Sequence, residues 1–294
     1  MRFAFIQAER AQFGVARLCR ALVVSCAGYY AWCLRPKSAH AVQDEKLKVL
    51  VNEAHAVEGR TYYGSPRVHR SLKKQGVPVS RKRIVRLMQE DGLVGRARRR
   101  FKCTTDSDHG LPVATNLLGR DFTASAPDQR WVGDTTELLI GTGGAKLFLA
   151  AIFDLFSRRV VGWATSAVND RHLTLKALDQ ALRRRCPDAG LLHHSDQGSP
   201  YASEDYQDAL ALRGITCSMS RRGNCYDNAA MESWNSTLKS ELGERFDSYA
   251  AAKEQLFDYI EVFYNQQRLH SSLGYASPAA YERSAQDATS PLPC

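Results

Sequence analysis

The chain has 294 residues, 44% of them hydrophobic and 24% charged, which is ordinary for a globular protein and leaves room for one large domain or two modest ones. Its longest early uncharged run, 21–34, is too short to span a bilayer, so no membrane role is expected. The net charge of +9 is unevenly placed: Arg60–Lys102 carries 14 Lys and Arg against only Glu90 and Asp91, the remainder is slightly acidic, and such a block points to a polyanion partner.

Taken in chain order, residues 13–35 read as two short helices around a turn near Ser25–Gly28. Cys19, Cys26 and Cys33 recur every seven residues, as a shared apolar stripe would. None of the eight cysteines has zinc-ligand spacing, and without a secretory signal they read as reduced thiols in a cytoplasm. Residues 44–56 are helical in pattern. In "GSPRVHRSLKKQG" Ser65 suits an N-cap, Pro66 a first helical position and Gly76 a stop. Ser80 then caps "RKRIVRLMQEDG", where Ile84, Leu87 and Met88 fall on one face and Arg81, Lys82, Arg83 and Arg86 on the others. Helix, short turn and basic helix form a helix-turn-helix pattern, although many helical hairpins bind nothing. Arg98, Arg99 and Arg100 follow in "RARRRFK", a run suited to phosphates.

The organisation expected is a helical segment over 1–40, a basic helix-turn-helix-like domain over 41–102, a linker of small, polar and turn-forming residues over 103–127, a core over 128–285 and a tail over 286–294. In the core, "RWVGDTTELLI", "AKLFLAAIFDLFS" and "RRVVGWATSAV" are strand-like, and their short connections predict antiparallel pairing. A long helix from Asp170, a short strand "GLLHHS", a helix from Ser203, a short strand "ITCSMS", a loop-helix "MSRRGNCYDNAAMESWNSTLKSEL" and a last helix near 249–267 complete a mixed α/β layer.

Asp134 lies within the first strand, Asp196 at the end of a later one, and Glu232 on a helix among small and apolar residues. Rigid elements aim side chains well from such places. Three hard oxygen donors on separate elements suit Mg²⁺ or Mn²⁺, and two such ions about 3.5–4 Å apart clamp the attacking and leaving oxygens of a phosphodiester displacement. Composition alone does not single these acids out. Glu137, Asp154, Asp170, Asp205 and Asp227 are nearby in sequence, and a lone acid is more often a cap or a solvated charge. Asp154 is the strongest rival, or else it bonds the turn before Arg158. His193 and His194 are either metal ligands or, by strand alternation, one buried and one exposed ring. Lys239, seven residues beyond Glu232, is either an exposed lysine or a phosphate contact.

"WVGDTTEL", "HHSDQGSPY", "SMSRRGNCYDNAAMESWNSTLKSEL" and "YNQQRLHSSLGYASPAAYE" together resemble the second-frame transposase (OrfB) of the bacterial insertion-sequence-three family, over about 13–282. Between Asp196 and Glu232 lie 35 residues, the spacing these DDE enzymes share with retroviral integrases. The resemblance implies a ribonuclease-H-like integrase catalytic core with a mixed five-stranded sheet, preceded by an all-α helix-turn-helix-like region. It implies Asp134, Asp196 and Glu232 as catalytic metal ligands, Lys239 as a DNA contact, and two Mg²⁺ or Mn²⁺ ions. The reaction implied is metal-dependent DNA cleavage and strand transfer: water frees a 3′ hydroxyl, which attacks a second phosphodiester, with the element's ends first joined into a circle. The implied partners are the element's terminal inverted repeats and target DNA, an upstream-frame product supplied as a frameshift fusion, and further copies of the chain on nucleoid DNA. Gly133 departs from the threonine the family more often has there. Two other readings are a DNA-binding regulator without catalysis and a ribonuclease-H-like nuclease or resolvase.

Overall fold

In the computed structural model, residues 2–57, 61–95 and 110–289 are described. Arg98, Arg99 and Arg100, and parts of the expected linker and tail, lie outside them. Three helices open the chain: α1 (Arg2–Phe13), α2 (Val15–Ala21) and α3 (Cys26–Leu34), the last capped by Ser25, whose Oγ accepts from the Gly28 N–H at 3.0 Å. The turn lies at residues 22–25, a few residues before the expected Ser25–Gly28, whose residues 26–28 open α3, and α1 has no counterpart in the pattern. The cysteine stripe does not form, because the chain breaks between α2 and α3: Cys19 is buried, Cys26 half-buried and Cys33 exposed.

Helices α4 (Ala39–His55), α5 (Ser65–Lys74) and α6 (Arg81–Glu90) pack on one another through Leu47, Val51, Val68, Leu72, Ile84, Leu87 and Met88. Ser80 caps α6 as expected, accepting from the Arg83 N–H at 3.3 Å. On α5 the cap is Gly64 rather than Ser65, which is itself the first helical residue. Any of the first helical N–H groups lacks an intrahelical acceptor, so Pro66 is tolerated one position further in. Among the described residues no helix is long and apolar enough to cross a membrane.

The sheet has five main strands: β1 (Arg130–Ile140), β2 (Ala145–Asp154), β3 (Val160–Ser166), β4 (Leu192–Ser195) and β5 (Thr216–Met219). Their order is β3-β2-β1-β4-β5, with a two-residue β6 (Arg245–Phe246) beside the far end of β1. The first three pair antiparallel across short turns, as the sequence predicts. Strands β4 and β5 join in parallel, each reached through helices, since a parallel neighbour needs a crossover. Helix α7 (Arg171–Arg185), α8 (Ser199–Ala202) and α9 (Glu204–Ala211) cover one face over Trp131, Ile152 and Val161. Gly162 lets α7 lie down on β3, because an added Cβ would collide with the Ala177 carbonyl.

The other face, with Val132, Leu149 and Phe153, packs against α10 (Ala229–Glu241) and α11 (Tyr249–Phe257). The expected last helix instead continues α11 as a π-helical stretch over Asp258–Tyr264 and is followed by a further helix, α12 (Pro278–Thr289). The α4–α6 unit shares this core: the Leu269 N–H donates to the Tyr63 hydroxyl at 3.1 Å, and Arg67 lies 3.7 Å from Glu241. Asp154 takes the capping role. Its Oδ1 accepts from the backbone of Phe156 and Ser157, both at 2.9 Å, and its Oδ2 from the Asp128 N–H at 2.7 Å.

Candidate active site

Asp134 stands on the central strand, and the site is built outward from it. Strand β4 runs parallel to β1 in the register Arg130–Leu192, Trp131–His193, Val132–His194. Two more residues along that register, Asp134 comes opposite Asp196, just past the end of β4, at a spacing of roughly 4.8 Å between neighbouring strands. The Asp196 carboxylate accepts from the Gly198 N–H at 3.0 Å, which shapes the Gly/Pro turn leading into α8.

Helix α10 crosses β1 on two asparagines. Asn228 Nδ2 donates to the Gly133 carbonyl at 3.1 Å, and Asn235 Nδ2 donates to Asp134 Oδ2 at 2.7 Å. Glu232 falls between them, four residues after Asn228 and three before Asn235, on the same helical face as the two asparagines that reach Gly133 and Asp134. Lys239 continues that stripe one turn on, half-buried, with Glu244, Glu137 and Asp134 in its electrostatic surroundings. Burial pushes its ammonium pKa down.

The electrostatics bind the three acids into one unit. Burial raises the Asp134 pKa well above the usual carboxylate range, and the charges of Asp196 and Glu232 add to the rise. The Thr135 N–H, at 2.9 Å from Asp134 Oδ1, and Lys239 oppose it. Burial also raises Glu232. These donors fit a hard divalent cation: three carboxylates from separate elements, with one negative charge already disfavoured by its neighbours, make a place where added positive charge is favourable. Among the described residues no three His, Cys, Asp or Glu side chains are drawn together closely enough to grip an ion as they stand.

His193 and His194 are both buried, against the expected alternation of one in and one out. Strand β4 is interior, with neighbours on both sides and both faces covered, so alternation there selects between two buried environments. His194 bonds Ser218 and Ser220 at 2.8 and 3.1 Å, and His193 Nε2 bonds the Tyr206 hydroxyl at 3.1 Å. Burial lowers both, His193 to about 3 and His194 to about 4.

The His193 ring also accounts for Gly133. A Cβ there would come within 3.2 Å of the ring's Cε1 and Nε2 and 3.5 Å of Tyr201. Gly133→Thr is therefore expected to cost about 1–3 kcal/mol by overpacking, read as a lowered thermal midpoint. Gly133→Thr combined with His193→Ala should regain part of that loss.

Sequence reasoning missed Asn228 and Asn235, and placed Asp227 only among several nearby acids. The two asparagines sit at i and i+7 in "NAAMESWN", one apolar-free face of α10, which was a readable signal. Asp227 is fully buried and holds Arg120, Arg221 and Asn116 at 2.8–2.9 Å, and these bonds, Arg221 foremost, push its pKa far down. It ties the loop before α10 to the segment before β1. Asn235→Ala should lower metal affinity and turnover about 10–100-fold, the usual effect of losing a group that orients a ligand. A metal titration of the purified variant separates that from misfolding.

Of the expected DNA contacts on α6, Arg81 and Lys82 are exposed. Arg83 and Arg86 instead hold Asp44 of α4 at 2.7 and 2.6 Å, and Arg86 also holds Glu90 at 2.6 Å. Led by Arg86, these bonds lower the Asp44 pKa to about 2.

The chain matches the integrase core domain family over residues 124–225 and again over 213–278, and an HTH-like domain over 42–101. It is 43% identical over 266 residues to the "Insertion element IS600 uncharacterized 31 kDa protein" of Shigella sonnei, covering 90% of this chain and 97% of that one. It is 38% identical over 285 residues to the "Transposase InsF for insertion sequence IS3A" of Escherichia coli (strain K12), covering 96% of this chain and 98% of that one. The simian T-cell lymphotropic virus intasome, solved with the PP2A regulatory subunit B56 gamma, aligns over 76% of this chain and 73% of that chain. Its identity is 15% and its TM-score 0.46, a distance at which nothing is carried across.

Proposed function

The chain belongs to the transposase family of insertion sequence IS3, and from that membership we propose that its strand cleavage and strand transfer run at Asp134, Asp196 and Glu232. The enzyme is a DDE transposase, a polynucleotidyl transferase with an integrase core and an HTH-like region for DNA. The observation that supports the reading is electrostatic: Asp134 lies one strand from Asp196 in the β1–β4 register, and its pKa is raised by burial and by the charges of Asp196 and Glu232.

Asp134 and Asp196, on neighbouring strands, and Glu232, on α10, would hold the divalent cations. Two Mg²⁺ or Mn²⁺ ions bound there would supply Lewis acidity for in-line phosphodiester displacement. Asn235 fixes the plane of the Asp134 carboxylate. Lys239 offers its positive charge to a substrate phosphate two helical turns from Glu232, and its partial desolvation favours giving that proton-rich group a phosphate partner. Water attacks a phosphodiester at the element end and leaves a 3′ hydroxyl. That hydroxyl attacks a second phosphodiester, and the displaced strand leaves as a new 3′ hydroxyl, so no covalent protein–DNA bond is required. Arg81, Lys82, Arg98, Arg99 and Arg100 contribute phosphate contacts from the basic region. The working assembly is a set of copies on DNA in the bacterial cytoplasm, joined with the upstream-frame product.

The test is a strand-joining assay on the element's own terminal repeats in Mg²⁺, with and without the upstream frame. Joined products support the assignment. Binding without nicking in either arm indicates a regulator, and nicking without joining indicates a nuclease; each overturns it.

A further inference from the structure

Behind α10, on the side away from Glu232, lies a cavity of about 170 Å³, against roughly 10–15 Å³ for a single water. Three guanidinium groups line it: Arg67 from α5, Arg158 from the turn after β2, and Arg268 from the segment after the π-helical stretch. Among the described residues Glu241 is the one carboxylate on its wall, and it faces Arg268 in a two-point pair at 2.7 and 2.8 Å. Arg67 reaches Glu241 only at 3.7 Å. Arg158 donates to the Phe122 carbonyl at 3.1 Å and has no carboxylate partner among the described residues. Its backbone is left-handed, with φ 61°, and its N–H is held by the Asp154 carbonyl at 2.9 Å, so the turn that Asp154 caps presents this arginine. Trp234, 3% exposed, also lines the cavity, and its indole N–H is buried without an acceptor among the described residues.

Donors thus exceed acceptors here, and three positive charges stand against one negative. A tetrahedral oxyanion reverses both imbalances: its oxygens only accept, and guanidinium forks match them two at a time. The cavity does not end the basic surface. Arg70, Lys73 and Lys74 of α5 line a second, more open cavity of about 300 Å³ with Leu269 and Tyr275. None of the three has a carboxylate partner among the described residues, and Arg70 lies 5.4 Å over the Tyr275 ring. Arg83 and Arg86 of α6, by contrast, are paired with Asp44 and Glu90.

We propose that the seam between α5 and the core is a DNA-backbone site, in which Arg67, Arg158 and Arg268 seat one phosphate and Arg70, Lys73 and Lys74 follow the same strand. This rests on the transposase assignment and adds a contact face to it. The seat lies across the ~10–12 Å width of α10 from the catalytic face, so DNA held in it is fixed relative to the helix that carries Glu232.

The test uses the full chain and a labelled element-end duplex, with binding measured across a salt series. Lys73→Glu/Lys74→Glu, a pair of exposed changes that leave the core intact, should weaken binding at least tenfold and flatten the dependence of log K on log salt by about one unit per lost contact. Arg158→Ala should flatten it by about one unit, and its thermal midpoint identifies any folding loss. Wild-type affinity and slope in both variants would overturn the seam while leaving the transposase assignment standing. A titration with inorganic phosphate adds a second arm: saturable phosphate binding that Arg158→Ala abolishes, with duplex affinity unchanged, would assign the cavity to a free anion and overturn the DNA site. A wild-type chain that binds the end duplex but never joins strands would instead remove the catalytic assignment and leave the seam intact.

Discussion

Asp134→Asn is expected to abolish cleavage and strand transfer, to below about 10⁻³ of wild type, while binding of element-end DNA persists. The expectation follows from what the side chain does. Asp134 stands on the central strand, fixed by the Thr135 N–H and by Asn235 at 2.7 Å, and it feels the charges of both Asp196 and Glu232. Asparagine keeps the shape and removes the anionic donor. Losing one preorganised group that stabilises developing charge already costs about 10²–10³ in turnover, and a lost metal ligand removes more than one such contact. The basic surfaces proposed to hold DNA lie elsewhere, on α5 and in the basic region, so affinity for the duplex should change little. A gel assay with pre-nicked and intact ends separates the two steps, and both should fail together because both use one site.

The second large effect is on stability. Arg268→Ala should destabilise the fold by about 3–5 kcal/mol, because it strands the buried Glu241 carboxylate. Arg268 and Glu241 have side-chain exposures of 5% and 7%, and the Tyr259 hydroxyl donates to the same carboxylate at 2.8 Å. Arg67, 3.7 Å away, offers Glu241 a poorer partner, so the lower end of that range is expected. In a chain of this size each kcal/mol moves the thermal midpoint by about 2–4 °C. The sharper check is the double change Arg268→Met/Glu241→Leu. Replacing a buried pair by apolar groups of similar volume is often neutral, so the double variant should melt well above the single one. A double variant no more stable than Arg268→Ala would mean the loss came from packing on Tyr264, over whose ring Arg268 lies at 5.5 Å.

Much of this architecture was legible before any coordinates. The three antiparallel strands announce themselves by apolar runs with short turns, Ser80 by its place before a basic helix, and Asp196 by a strand giving way to a Gly/Pro turn. What stayed hidden is long-range. Nothing local to Arg83 and Arg86 shows that Asp44, some forty residues earlier, will neutralise them. Nothing local to "HHS" shows that β4 is covered on both faces, and period-two alternation therefore wrongly put one of the two histidines in solvent. Glu232 alone is an ambiguous acid. It becomes interpretable once Asn228 and Asn235 are seen to pin its helix across Gly133 and Asp134. The extra helix α12 escaped for a different reason: "SPAAYERSAQDAT" has little apolar periodicity, and its place is fixed by Glu282, which holds Arg159 and Arg185 at 2.8 and 2.9 Å.

The most direct measurement of the central claim is a Mn²⁺ titration of the full chain followed by electron paramagnetic resonance, with wild type beside Asp134→Asn, Asp196→Asn and Glu232→Gln. The account predicts saturable binding of two ions to wild type and a loss of affinity in each variant. Mn²⁺ binding that all three variants retain unchanged would contradict it.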